Sequence, residues 1–358
     1  MTTTAVNSQN STSSSTNTLS PVRVERNIIL NAADINEHYG TDAGLVRDLI
    51  VYICYNYTHN LFGFNRVSLT DFCKVMGYKK SNLSKRHPAA ETRKHKPSIN
   101  GYEWSSQLEY TIFRMIKENI VFTYKAKVPG MNIEGISSIP VLVDARVLYD
   151  SRRPQKRYYE LKLSKEFISN LLSYYSTVFL EDYIAAGTQR NKSLFMYLSM
   201  LQHVAMYKKE EITPYFDHLC KIADIHYENN REKKRHLQKA LREIQERTSL
   251  NFEFEFYKAA GQSHAYSIRI VFKEFNKLSP KKEMFKNQLF NKLQDFYLYK
   301  YEKQYPNLFQ QWLGNNEYDT EIKKEIFAEV YENVYHKPID MSQAHNVADL
   351  NELIACIA

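Results

Sequence analysis

The sequence predicts an α+β protein in which one local order, helices followed by a small antiparallel sheet, is laid down twice. Three observations carry this. Apolar residues recur at helical spacing from about residue 42 to 119, then give way to Val-, Ile- and Tyr-rich runs up to residue 163. The same change of period occurs again between residues 194 and 272. Beyond residue 275 the pattern is helical only, which predicts a carboxy-terminal helical extension.

Taken in order, the first 20 residues hold 12 Ser or Thr and no apolar core, which predicts a disordered tail over 1–27 rather than a signal peptide. From Asp42 to His59, Leu45, Leu49 and Ile53 with Val46, Ile50 and Tyr57 mark a helix. Ser68 to Gly77 follows with a capping residue, an apolar turn and a closing glycine, as in the first half of a helix-turn-helix. Trp104, Leu108, Ile112 and Ile116 mark the next helix, ending near Asn119. Ile120–Val128, Ile139–Leu148 and Tyr158–Leu163 read as strands, the last two joined by Ser151–Arg157, a turn with four basic residues. Helices followed by a sheet with a basic hairpin tip is the order of a winged helix, here placed at 28–165. A partly helical linker is expected over 166–189.

The second unit, 190–275, has a helix through Leu194, Leu198 and Leu201, a short one over Thr213–Ala223, and a third over Arg231–Arg247. Strands Leu250–Tyr257 and Tyr266–Phe272 close it, joined by a loop containing Gly261. Two amphipathic helices, near Lys281–Gln304 and Thr320–Tyr335, lie in the extension 276–358.

Composition narrows the function. The excess of 48 basic over 40 acidic residues, net +8, favours a polyanionic partner. Cys54, Cys73, Cys220 and Cys356 lie far apart with no zinc spacing, which predicts a reducing, cytoplasmic setting without disulfides or structural metal. The longest apolar run, Leu49–Tyr55, is too short to span a bilayer.

Two basic elements stand out. Gly77–Pro97 carries seven Lys or Arg against one acid, Glu91, and its two prolines suggest a phosphate-binding loop, with Ser81–Arg86 as an alternative short recognition helix. Its Lys79, Lys80, Lys85 and Arg86, with Arg152, Arg153, Lys156 and Arg157 of the basic turn, are the expected backbone contacts. The helix Trp104–Asn119 is nearly neutral and a weaker candidate. In Arg231–Arg247 the stripe Leu237, Leu241 and Ile244 predicts a buried face. Lys234, Arg235, Gln238, Lys239 and Arg242 then fall on outward faces, where Arg and Gln suit purine edges and Lys suits phosphate. A solvated helix with Glu232, Glu243 and Glu246 pairing locally is the plain alternative.

Asn191–Leu198, Arg231–Arg247 and the strands ending Ile268–Phe272 resemble the replication initiator proteins of iteron-bearing bacterial plasmids. Leu237, Ala240, Glu243 and Ile244 match that family's helix, while Gln245 stands where Asn is usual. The likeness covers roughly residues 40 to 275. The insertion at Tyr78–Asn100 and the residues after Phe275 have no counterpart in it. The resemblance implies two tandem winged helices that bind repeats at an origin in double-stranded DNA. It also implies help in melting the duplex, recruitment of the host initiator and replicative helicase, and repression of the protein's own gene as a homodimer formed through the amino-terminal unit.

Enzyme readings find little. No His-hydrophobic-His metal motif accompanies the 27 tyrosines, as a rolling-circle nicking enzyme would need, and no G-x-x-x-x-G-K-[ST] occurs. Glu253 and Glu255 are expected to pair across their hairpin with Arg269 rather than hold Mg²⁺. No cofactor, metal or catalytic residue is therefore expected. A winged-helix transcriptional regulator is the runner-up reading, and an origin-nicking or primase-like enzyme the third.

Overall fold

The computed structural model describes residues 21–59, 66–85, 98–99, 102–103, 106–128, 131–150, 152–208, 212–258, 266–273, 280–297 and 320–357. Helices and small antiparallel sheets make up an α+β chain.

The described residues begin with strand β1 (Pro21–Glu25), so residues 21–27, expected within the disordered tail, form a strand and the start of a helix, while 1–20 lie outside the described residues. Val22 and Val24 are fully buried, and Glu25 caps α1 (Arg26–Leu30) by accepting hydrogen bonds from the Asn27 and Ile28 amides. Burial raises the Glu25 carboxyl to about 7, against the lowering effect of those bonds. Helices α2 (Ala32–Tyr39) and α3 (Ala43–His59) follow, joined by a 3-10 turn at Gly40–Asp42.

The start and stop signals of the short helix after Ser68 hold in detail. Ser68, at the end of β2 (Arg66–Ser68), caps α4 (Leu69–Met76) by accepting from the Asp71 amide at 3.0 Å. Gly77 ends it in the left-handed conformation, φ 75°. Lys80–Leu83 is a single helical turn, α5, anchored by buried Leu83. Strands β3 (Ser98–Ile99) and β4 (Tyr102–Glu103) make a minimal hairpin before α6 (Gln107–Lys117), which Ser106 caps. Trp104 lies outside the described residues.

The first sheets differ from expectation in one respect. Strand β5 (Ile120–Val128) pairs with a strand that periodicity does not reveal, β6 (Met131–Ile139), and Pro140 divides this from β7 (Leu142–Asp150). In β8 (Arg153–Leu163) the chain returns antiparallel to β7 and also pairs with β2, giving the order β2-β8-β7.

The stretch 166–189 is a packed part of the core rather than a linker. It contains most of α7 (Lys165–Ser173), then β9 (Tyr175–Phe179) and α8 (Leu180–Ala185), and β9 pairs antiparallel with β1. Phe167, Leu171, Val178 and Tyr183 are buried. In consequence one contiguous apolar cluster runs from Val22 to Phe272, where two separate cores were expected.

The second half comprises α9 (Gln189–Lys208), α10 (Phe216–Ile222), α11 (Asn230–Arg247), β10 (Phe252–Lys258) and β11 (Tyr266–Phe272). The last two form an antiparallel hairpin in register from Phe252–Phe272 to Lys258–Tyr266. Gly261 lies outside the described residues.

Three further helices form a second apolar cluster through Phe285, Leu289, Phe327, Val330 and Leu350. They are α12 (Pro280–Tyr297), α13 (Thr320–Tyr335) and α14 (Val347–Ile357), the last without a predicted counterpart. This cluster meets the main core where Phe290 packs edge-on to Tyr57, ring centroids 4.8 Å apart. Among the described residues no helix is long and apolar enough to cross a membrane.

Candidate nucleic-acid interface

Helix α11 is held rigidly at both ends and along one side. Asn229 accepts from the Arg231 amide at 2.8 Å, and Tyr227 stacks on His236 near the amino-terminal end. At the other end the Ser249 amide and hydroxyl both donate to Asp182 of α8. Leu237, Ala240, Leu241 and Ile244 are buried, so the helix cannot roll without exposing them.

Opposite that stripe lie Arg235, Lys239 and Arg242, all exposed, with Glu246 at the carboxy-terminal end of the face. Arg235 is 70% exposed and paired with Glu232 at 2.6 Å; Lys239 is 76% exposed and 3.8 Å from Glu243. Exposed pairs of this kind are worth about 0–1 kcal/mol, so phosphate or base edges can displace them at small cost. Among the described residues no acid pairs with Arg242.

Lys234 and Gln238 lie to one side. Lys234 sits 4.8 Å above the Tyr266 ring and 5.3 Å above Phe256, which draws it toward the hairpin instead of outward. Gln238, half-buried, lines a cleft with Arg242 and Gln245 on the helix and Glu255, Arg269 and Val271 on the hairpin. Gln245, which stands where the resembling family has Asn, donates to the Phe252 carbonyl and ties helix to strand. On the hairpin's outer face Glu255 is directly opposite Arg269, and Glu253 pairs with Lys273. Each acid thus has a cation beside it, and the face is near neutral.

The amino-terminal candidates divide differently. Lys79 precedes α5 at its N-cap position without a side-chain capping bond, Lys80 opens the turn, and both are exposed, as is Lys85. A helical turn therefore occupies the start of the stretch where a loop was expected; Arg86 and the residues up to Pro97 lie outside the described residues. Arg152 is exposed at the β7–β8 turn. Arg153 and Lys156 lie within β8 rather than in the turn. Arg157 turns inward: its Nη1 is 2.9 Å from Glu109, a fully buried carboxylate on α6. In this fold its partner is that buried carboxylate.

Sequence reading missed the network that holds the two halves together. Asp48 of α3, fully buried, accepts from Lys192 Nζ at 3.0 Å, Gln189 Nε2 at 2.8 Å, the Tyr183 hydroxyl at 2.5 Å, and the Tyr78 hydroxyl. Burial, then the Asp48 charge, pushes both tyrosine hydroxyls well above their ordinary pKa. A carboxylate and a lysine inside otherwise apolar helical patterns were the available signal.

Among the described residues no group of three His, Cys, Asp or Glu could hold a metal ion. No protein-family model matches the chain, and no curated protein matches it. Among solved structures, the Pi initiator protein, crystallised in complex with iteron DNA, is a distant likeness. It covers 73% of this chain and 100% of its own, at 12% identity and a TM-score of 0.47.

Proposed function

We propose that the chain is a sequence-specific double-stranded DNA-binding protein that initiates replication of a plasmid or mobile element from repeated origin sites. The observation that carries this reading is the face formed by Arg235, Lys239 and Arg242, projecting from a rigid helix directly before a two-stranded hairpin. That is the placement a winged helix gives its major-groove element. The net charge of +8 and the residues resembling the iteron-plasmid initiators point the same way. On this reading the chain acts as two tandem winged helices and carries no catalytic group. The host initiator and helicase would be its partners, and it would dimerise through its amino-terminal half.

The test is binding to duplexes taken from direct repeats beside the gene. With about six phosphate contacts, affinity should fall on the order of a thousandfold between 50 and 200 mM salt. An affinity that ignores both salt and sequence would refute the reading. Open circles produced from supercoiled origin DNA and Mg²⁺ would replace it with a nicking enzyme.

A further inference from the structure

Strands β5 and β6 form a two-stranded ribbon that stands apart from the sheet β2-β8-β7, and among the described residues β6 pairs with β5 alone. Its root is part of the main core, where Ile120, Phe122 and Ile139 are buried. Beyond the root the aliphatic residues run on into solvent. Met131, 67% exposed, and Ile133 lie on the face that continues from those buried residues; Ile136, 77% exposed, and Val121 lie on the other. Bare aliphatic side chains on both faces of one projecting element mark an interaction site.

The ribbon springs from the flank of α11. The Tyr39 hydroxyl donates to the Glu118 carbonyl at 2.8 Å, two positions before β5. Gly40 and Thr41, next in sequence to Tyr39, border the same cavity as Lys239 and Glu243 of α11. Nine residues in each strand, at roughly 3.3 Å per residue, give a reach of about 30 Å, close to the roughly 34 Å of one duplex turn.

The chemistry of the ribbon selects the partner. β5 carries Lys125 and Lys127 in register opposite Glu134 and Asn132, and Asn132 is exposed. A second copy pairing along the free edge of β6 would extend the sheet yet leave both faces bare. A groove with two walls encloses both. Proteins that enter the minor groove read it with Lys and Asn and drive Met or Ile between base steps, which kinks the duplex. Resting on the DNA-binding reading above, we propose that β5–β6 is a minor-groove arm for A·T-rich duplex beside the site read by α11. Met131 is its wedge, and Asn132 donates to adenine N3 or thymine O2, the acceptors that A·T pairs present there.

Three duplexes from direct repeats beside the gene test this with the full chain, each flanked on both sides by about one turn, roughly ten base pairs, of A·T, I·C or G·C pairs. Inosine–cytosine pairs match A·T in the minor groove, because they lack the guanine amino group, and resemble G·C in the major groove. The chain should bind the A·T and I·C flanks alike, at least fivefold more tightly than G·C, and bend both as read by energy transfer between end labels. Met131→Ser with Asn132→Ala, both at exposed positions, should erase that preference and the bend, leaving discrimination between cognate and scrambled repeats intact. I·C behaving as G·C, or a preference or bend that survives the double variant, would overturn the proposal. Loss of a dimer in sedimentation, with the flank preference unchanged, would assign the ribbon to a second copy and overturn it too. A chain that binds the repeats specifically but ignores the flanks refutes the arm alone. One that binds no repeat specifically refutes the DNA-binding reading as well.

Discussion

The two halves set their ion pairs in opposite directions. In the amino-terminal half the ion pairs face inward: Arg114 joins Asp42 at 2.9 Å, Arg157 joins Glu109, and Arg66 joins Glu160, each acid being almost wholly buried. On α11 the pair Arg235–Glu232 lies on the surface and is weak, and Lys239, itself exposed, is only 3.8 Å from a half-buried Glu243. The lesson is that a count of basic residues does not locate a DNA-binding face. A cation committed to a buried acid is structural, and one paired with an exposed acid is available.

The largest expected effect lies where the halves join. Asp48→Ala should cost on the order of 3–5 kcal/mol, because it strands Lys192 in a buried site. Urea melts of the full chain would measure this, and a loss under 1 kcal/mol would mean the halves are not held by that network.

Next comes the buried carboxylate of Glu25. Its folded pKa, about 7, exceeds the ordinary value of 4.5, so the folded chain binds the extra proton between those limits. Stability should therefore fall by a few kcal/mol as pH rises from 4.5 through 7, with the full penalty present above it. Glu25→Gln should flatten that slope in thermal melts, and an unchanged slope would place the titration elsewhere.

Arg157→Ala sharpens the comparison directly. It should remove about 1–3 kcal/mol of folding stability by taking one partner from a fully buried carboxylate, yet leave the salt dependence of DNA binding unaltered. A flatter salt slope with unchanged stability would return Arg157 to the phosphate contacts. Smaller still, Lys79, Lys80 and Lys85 replaced together by Ala should weaken binding to every duplex alike and lower the salt slope by up to about three. A sequence-dependent loss would make α5 a reading element.

What was legible in the sequence was what depends on near neighbours along the chain. The stripe of Leu237, Leu241 and Ile244 and the caps Ser68 and Gly77 are written in residues at most a few turns apart. Pairing across long separations was not. Val22 and Val24 form a strand only because β9 lies more than 150 positions on, and Asp48 meets Lys192 across 144. The strand Met131–Ile139 was hidden for another reason: most of its side chains are exposed, so no alternation marks it. Within the candidate site, Lys234 and Arg235 are adjacent in sequence but one helical step of about 100° apart. That step turns one onto aromatic rings and leaves the other facing solvent.

On the proposed function α11 reads bases, while the amino-terminal lysines contact only backbone. Binding of Arg235→Ala, Lys239→Ala and Arg242→Ala, beside the triple-lysine variant, should be measured on cognate and scrambled duplexes at several salt concentrations. Any of the three that makes a bidentate base contact should lose roughly 1–3 kcal/mol on the cognate site and far less on scrambled DNA. Uniform losses for all three helix variants, with specificity lost in the triple-lysine variant, would move base reading from α11 to α5.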